Sequence, residues 1–133
     1  MKRLHVNLKV TDLKANIHFY SQLFGQQPSV VKPDYAKWSL KSPSVNFALS
    51  QSDEEGLNHL GIEVTQEEEL QELFSTIQTI EGEKFEEGHT VCCYAKSEKS
   101  WIKDPQAIEW EIFRTYGNAE FNSLDSLKSA CCV

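Results

Sequence analysis

Four side chains in this 133-residue sequence have the types and spacing to hold a metal ion: His5, His59, Glu109 and Glu111. His5 opens the segment HVNLKVT and His59 opens HLGIEVT, so the imidazoles occupy matching places in a repeat, 59 minus 5 or 54 residues apart. A lone histidine on a strand is usually a hydrogen-bonded or surface residue; recurrence at equivalent places raises the ligand reading. Glu109 and Glu111 share one face of a strand, and either could supply a carboxylate. Aligning Val45-Asn46-Phe47-Ala48-Leu49 with Ile108-Glu109-Trp110-Glu111-Ile112 matches Ala48 to Glu111, so the first copy lacks a carboxylate that the second keeps. Two neutral imidazoles and one carboxylate on one side of an octahedral ion give the facial arrangement, with open positions, that non-haem Fe(II) oxygenases use. The plainer alternative is that the two glutamates solvate an exposed strand face. His18 and His89 have no partners in the pattern and read as ordinary surface residues.

The other reactive groups are cysteines, in two adjacent pairs, Cys92-Cys93 and Cys131-Cys132. Neighbouring cysteines bridge only with strain, so this is a poor disulfide framework and reduced thiols are the better reading. Reduced thiols suit the cytoplasm. The start MKRLHVNLKV alternates rather than forming an apolar run, so it reads as a strand and not as a signal peptide. No stretch approaches the roughly 18 apolar residues of a membrane span. A net charge of -7, with Lys and Arg scattered, argues against nucleic acid and leaves small or soft electrophilic partners.

The elements that must position these groups follow the repeat. Gly25 and Gly82 end the helical stretches of the two copies, Tyr35-Ala36-Lys37 recurs as Tyr94-Ala95-Lys96, and Pro43 matches Pro105. Each copy reads as strand, helix, then three strands. Residues 3 to 10 alternate, with Leu4, Val6, Leu8 and Val10 on the packing face and His5, Asn7 and Lys9 on the other. Asp12 caps a helix striped by Leu13, Ile17, Tyr20 and Phe24. In the second copy Leu60, Ile62 and Val64 pack, Thr65 caps with Glu68 as a capping box, and Leu70, Leu73, Phe74 and Ile77 form the stripe. The prolines mark turns before last strands at about 44 to 50 and 107 to 114, and in the second of these Ile108, Trp110 and Ile112 pack. Tyr35, Trp38, Trp101 and Trp110 read as core or cavity wall. Residues beyond Tyr116 lack periodicity and read as a surface extension.

These marks resemble the vicinal oxygen chelate superfamily of glyoxalases, extradiol dioxygenases and bleomycin-resistance proteins. They are the His5 strand, the Asp12-started helix with Phe19-Tyr20 and Phe24-Gly25, the run His59-Leu60-Gly61, and Asp104-Pro105 shortly before Glu111. The resemblance implies an α+β fold of two tandem βαβββ modules, a mixed, curved half-barrel sheet with helices outside. It implies one domain over residues 1–116, with modules of about 1–52 and 53–116, and a tail at 117–133. Ala107 stands where relatives often have Gly.

A narrower likeness comes from Asp34-Tyr35-Ala36-Lys37-Trp38, Val45-Asn46-Phe47-Ala48 and Thr90-Val91-Cys92-Cys93-Tyr94-Ala95. Together they are similar to the Fe(II)-dependent carbon–arsenic lyases and the related cadmium-induced proteins. The resemblance implies that His5, His59 and Glu111 bind Fe(II) and serve catalysis, while Cys92 and Cys93 hold a trivalent organoarsenical. It implies a monomer or homodimer that consumes O2, releases arsenite and confers arsenic resistance. Two thiolates satisfy a monomethyl As(III) centre, which carries one carbon and two exchangeable oxygens. Adjacent strand residues point to opposite faces, so chelation by both thiols predicts a bend and a mobile loop around Gly88 to Tyr94. Cys131 and Cys132 are expected to lie in a disordered tail. The rival reading is a thiol-based protein that binds organoarsenicals or soft metals without turnover. A glyoxalase-like isomerase is a third reading, which the missing carboxylate at Ala48 weakens.

Overall fold

The computed structural model describes the backbone of residues 1–92 and 95–118, with side chains for 1–88 and 97–115. In chain order the elements are β1 (Lys2–Val10), α1 (Leu13–Phe24), β2 (Val30–Lys32), β3 (Tyr35–Lys41), β4 (Ser44–Gln51), β5 (Gly56–Val64), α2 (Glu67–Gln78), β6 (Lys84–Cys92), β7 (Ala95–Lys103) and β8 (Glu109–Asn118). The described chain thus repeats strand, helix, three strands, as the pattern predicts. It divides into two compact units, Leu4–Asn58 and the described residues from His59 onward together with Met1–Arg3.

In the Leu4–Asn58 unit the strand order is β2-β3-β4-β1. β1 runs parallel to β4, whereas β3 is antiparallel to both β2 and β4, so the sheet is mixed. Asp12 accepts a hydrogen bond from the Ala15 N–H at 3.1 Å, and Gly25, in the left-handed region at φ 63°, closes α1. The apolar stripe of α1 meets one sheet face, where Val10, Leu13, Trp38, Leu40, Phe47 and Leu49 are buried and Ile17, Tyr20 and Phe24 pack beside them. Tyr20, Phe24, Trp38 and Phe47 hold this core as an aromatic cluster, with ring centroids from 4.7 Å (Tyr20–Phe47) to 6.2 Å (Tyr20–Trp38). Trp38 Nε1 donates to the Gln26 carbonyl at 2.9 Å, which satisfies its polar atom inside the core. Leu4 departs from the expected packing face: at the strand's start it is 44% exposed and not part of the cluster.

In the other unit the order is β5-β8-β7-β6, with β5 parallel to β8 and the remaining pairs antiparallel. Leu70 and Ile77 of α2 are buried against Val64 and Ile112, with Ile62, Leu73 and Phe74 alongside. Trp110 lies on the same side, lining an apolar cavity with Ile62, Leu73 and Ile77. The start of α2 corrects the expected cap by one residue. The Glu69 carboxylate, not Glu68, reaches back to the Gln66 N–H at 3.1 Å, and the Thr65 hydroxyl instead accepts from the N-terminal ammonium at 3.2 Å. The same ammonium, 2.7 Å from Glu69, holds that carboxyl below its ordinary range. Gly82 does not end this helix either. Thr79 and Ile80 donate to the Thr76 and Ile77 carbonyls at 3.0 Å, i→i−3 bonds that tighten the last turn before Gly82 is reached.

The two units repeat at the level of register. His5 plus two is Asn7, which lies opposite Ala48; His59 plus two is Gly61, which lies opposite Glu111. Ala48 and Glu111 are therefore equivalent, as the alignment predicts. The Tyr-Ala-Lys triplets are not. Ala36 lies opposite Leu49 beside Ala48, whereas Ala95 lies opposite Asn118, well beyond Glu111, because the β7–β8 pair is longer. The expected tail at 117–133 starts two residues too early, because Gly117 and Asn118 still pair with β7 as the end of β8; residues from 119 lie outside the described residues.

Candidate metal centre

Alternation along β8 decides where Glu111 goes. Ile112 faces the α2 core, so Glu111, one residue before it, turns to the opposite face, where only 3% of it is exposed. Glu109 shares that face but is half-buried at the strand's start, where it lines a separate cavity with Lys84 and Phe85. His59 on the adjacent β5 is fully buried. Its Nε2 lies 3.3 Å from Glu111 Oε1.

Two β7 residues fix this pair. Trp101, directly opposite Glu111 in register, sets its ring edge-on to the His59 imidazole at 5.1 Å. Its Nε1 donates to Glu87 Oε1 at 2.6 Å. Lys99, two residues earlier and only 4% exposed, donates through Nζ to Glu111 Oε2 at 2.5 Å. The ammonium also sits 5.9 Å from the Phe113 ring centroid. A buried carboxylate needs such a partner, because an unpaired charge in a dry interior carries a large desolvation cost. Lys99 escaped the sequence reading because AKSEKSWIK looks like a solvated strand. The usable signal was its two-residue spacing from Trp101, which puts both on one face.

His5 occupies the equivalent place on β1 of the Leu4–Asn58 unit and is 4% exposed. Its Nδ1 lies 3.2 Å from the Asn46 carbonyl. A carbonyl only accepts, so Nδ1 carries the proton and Nε2 is the nitrogen with a lone pair suited to a metal. Asn7 is buried on the same face, with Oδ1 accepting from the Ser50 hydroxyl at 3.1 Å. His18 is exposed, as expected of a surface residue.

The donor set of the second unit fits a small divalent cation. Two ligand atoms in adjacent octahedral positions, each about 2.1 Å from an ion, lie about 3.0 Å apart. The 3.3 Å between His59 Nε2 and Glu111 Oε1 is close to that spacing. Imidazole nitrogen and carboxylate oxygen suit ferrous and similar ions.

The expected thiol pair is placed only in part. β6 continues through Cys92, with Gly88 opposite Lys99 and Cys92 opposite Ala95, so residues 88–92 form strand rather than the loop expected there. The bend falls earlier, as a register shift between Glu86 and Gly88, where Gly88 takes φ 67°. The Cys92 side chain, Cys93, Tyr94, Cys131 and Cys132 lie outside the described residues.

No protein-family model matches the chain. Among solved structures, a variant of homoprotocatechuate 2,3-dioxygenase from B. fuscum superposes with a TM-score of 0.68 at 16% identity, covering 90% of this chain and 34% of that one. The Mn(II)-bound glyoxalase of Novosphingobium aromaticivorans gives 0.65 at 15% identity, over 92% of this chain and 43% of that one. The chain therefore has the vicinal oxygen chelate fold. Its curated relatives include the trivalent organoarsenical cleaving enzyme of Bacillus sp. (strain MD1), 44% identical over 100% of this chain and 84% of the relative. The probable enzyme of that name from Bacillus subtilis (strain 168) is 42% identical over 100% and 92%, and the cadmium-induced protein CadI of Mycobacterium bovis is 30% identical over 99% and 93%. The chain belongs to the family of trivalent organoarsenical cleaving enzymes and CadI proteins.

Proposed function

We propose that this protein is an Fe(II)- and O2-dependent lyase of the cytoplasm that cleaves the carbon–arsenic bond of trivalent methyl or aryl arsenicals and releases arsenite. His5, His59 and Glu111, three buried donors of the kind that can hold a metal ion, would carry the iron. The observation that carries the reading is the buried His59–Glu111 pair, with donor atoms 3.3 Å apart and each side chain braced by β7. Kinship to enzymes named for organoarsenical cleavage supplies the substrate class.

When bound, ferrous iron supplies open coordination positions and the redox capacity to activate dioxygen. The chain's own groups do the rest. Asn46 keeps His5 in the tautomer that offers Nε2, Trp101 shields and orients His59, and Lys99 secures Glu111. The sulfurs of Cys92 and Cys93 would replace the two hydroxyls of R–As(OH)2, each thiol proton leaving with one hydroxyl as water, to form R–As(S–Cys)2 with arsenic still trivalent. That leaves the carbon–arsenic bond as the one not held by the protein.

A second reading is capture of soft metals or organoarsenicals through the thiols without turnover; the relatives include a protein named only as cadmium-induced. Fe(II)-loaded protein incubated with methylarsonous acid, with and without oxygen, tests the first. Arsenite should appear only aerobically, and Glu111→Ala should abolish it while Cys-dependent arsenical binding survives. Equal release without oxygen rules out the dioxygenase mechanism; no release with intact binding gives the capture reading.

A further inference from the structure

Glu111 has two oxygens, and the structure engages them differently. Oε1 is the one beside His59 Nε2, at 3.3 Å, while Oε2 accepts from the Lys99 ammonium at 2.5 Å. We propose that Lys99 is a positioning residue that confines Glu111 to a single metal-binding oxygen; this rests on the metal reading above. A carboxylate without such a partner is free to turn both oxygens onto an ion, closing one of its open positions. The Lys99 bond opposes that turn.

Three features make Lys99 able to do this. It is buried, so water does not compete for the carboxylate oxygen. Its backbone is fixed, because Lys99 lies opposite Phe113 in the β7–β8 ladder and its ammonium is further held near that ring. It is also cationic: Lys99 and Glu111 cancel, so a divalent ion at the site would keep its charge for anionic ligands. A neutral hydrogen-bond donor would orient the carboxylate without that cancellation.

The test uses Mn(II) as probe in full-length wild type, Lys99→Met and Lys99→Gln. An octahedral ion with three protein ligands has about three positions for water, and a second oxygen from Glu111 removes one. Water-proton relaxivity per bound Mn(II) should therefore fall by roughly one third in Lys99→Met and fall less in Lys99→Gln, whose amide is one bond shorter but keeps a neutral donor on the Oε2 side. Unchanged relaxivity in Lys99→Met overturns the inference. Should that variant not fold, the infrared difference spectrum of wild type on Mn(II) binding decides. Carboxylate bands that vanish in Glu111→Gln should show the wide splitting of one-oxygen coordination, and narrow, two-oxygen splitting would overturn it. Wild type that takes up no Mn(II) would instead remove the metal reading itself.

Discussion

Gly61 and Glu111 lie opposite one another in the parallel β5–β8 pair, so close that a Cβ on residue 61 would run into the Glu111 carbonyl oxygen. The same Cβ would stand 3.2 Å from Glu111 Cβ. Backbone cannot swing aside as a flexible side chain can, so only glycine permits this approach. In the first unit the equivalent pair is Asn7 and Ala48, which shows that the parallel ladder as such tolerates a side chain there. The crowding is therefore tied to the place where the carboxylate was kept.

Gly61→Ala should push β8 away from β5 and carry Glu111 with it. Overpacking of this kind costs about 1–3 kcal/mol, readable as a lower urea midpoint. Affinity for Mn(II) should fall roughly tenfold or more, a loss of about 1.4 kcal/mol. Titration of the folded variant by calorimetry checks this, and wild-type affinity would show that the Gly61 approach does not place the ligand.

Ala107 offers a prediction of opposite sign. The turn before β8 is held by Asp104, whose Oδ1 accepts from the N–H groups of Gln106 and Ile108, both at 2.9 Å. Between them Ala107 is forced to φ 66°, where its Cβ crowds the backbone. A left-handed L-residue costs about 1–2 kcal/mol, and the extra unfolded-state freedom of glycine returns about 0.5–1 of it. Ala107→Gly should therefore stabilise the protein by about 0.5–1 kcal/mol in urea denaturation, with Mn(II) affinity unchanged. A destabilised variant would show that Asp104 does not impose the conformation.

Much of the architecture was legible because local periodicity reports it directly. Period-two alternation placed Glu111 opposite the core face, and the repeat tied His5 to His59. What escaped depends on partners distant in sequence. Lys99 sits in a polar run, and its burial arises only once β7 registers against β8, putting Trp101 opposite Glu111 and Lys99 opposite Phe113. The cap of α2 moved by one residue because an N-terminal ammonium engages Thr65, a contact that helix-start rules do not contain. Leu4 kept the apolar alternation but lies outside the core cluster, where periodicity alone could not warn of exposure.

Trp101 joins the fold and the site most closely, and two substitutions separate its roles. Its ring packs edge-on against His59 at 5.1 Å, and its Nε1 donates to the half-buried Glu87 at 2.6 Å. Trp101→Phe keeps an aromatic edge but loses the hydrogen bond and part of the buried ring volume, so it should cost about 2–3 kcal/mol of stability and leave Mn(II) affinity near wild type. Trp101→Ala removes the wall as well. With only 3% of the side chain's residue exposed, that opens a cavity and should cost about 3–5 kcal/mol. It also lets the imidazole turn away from Glu111, so metal affinity should drop with stability. Equal losses of affinity in the two variants would mean that the bond to Glu87, rather than the ring, aligns His59.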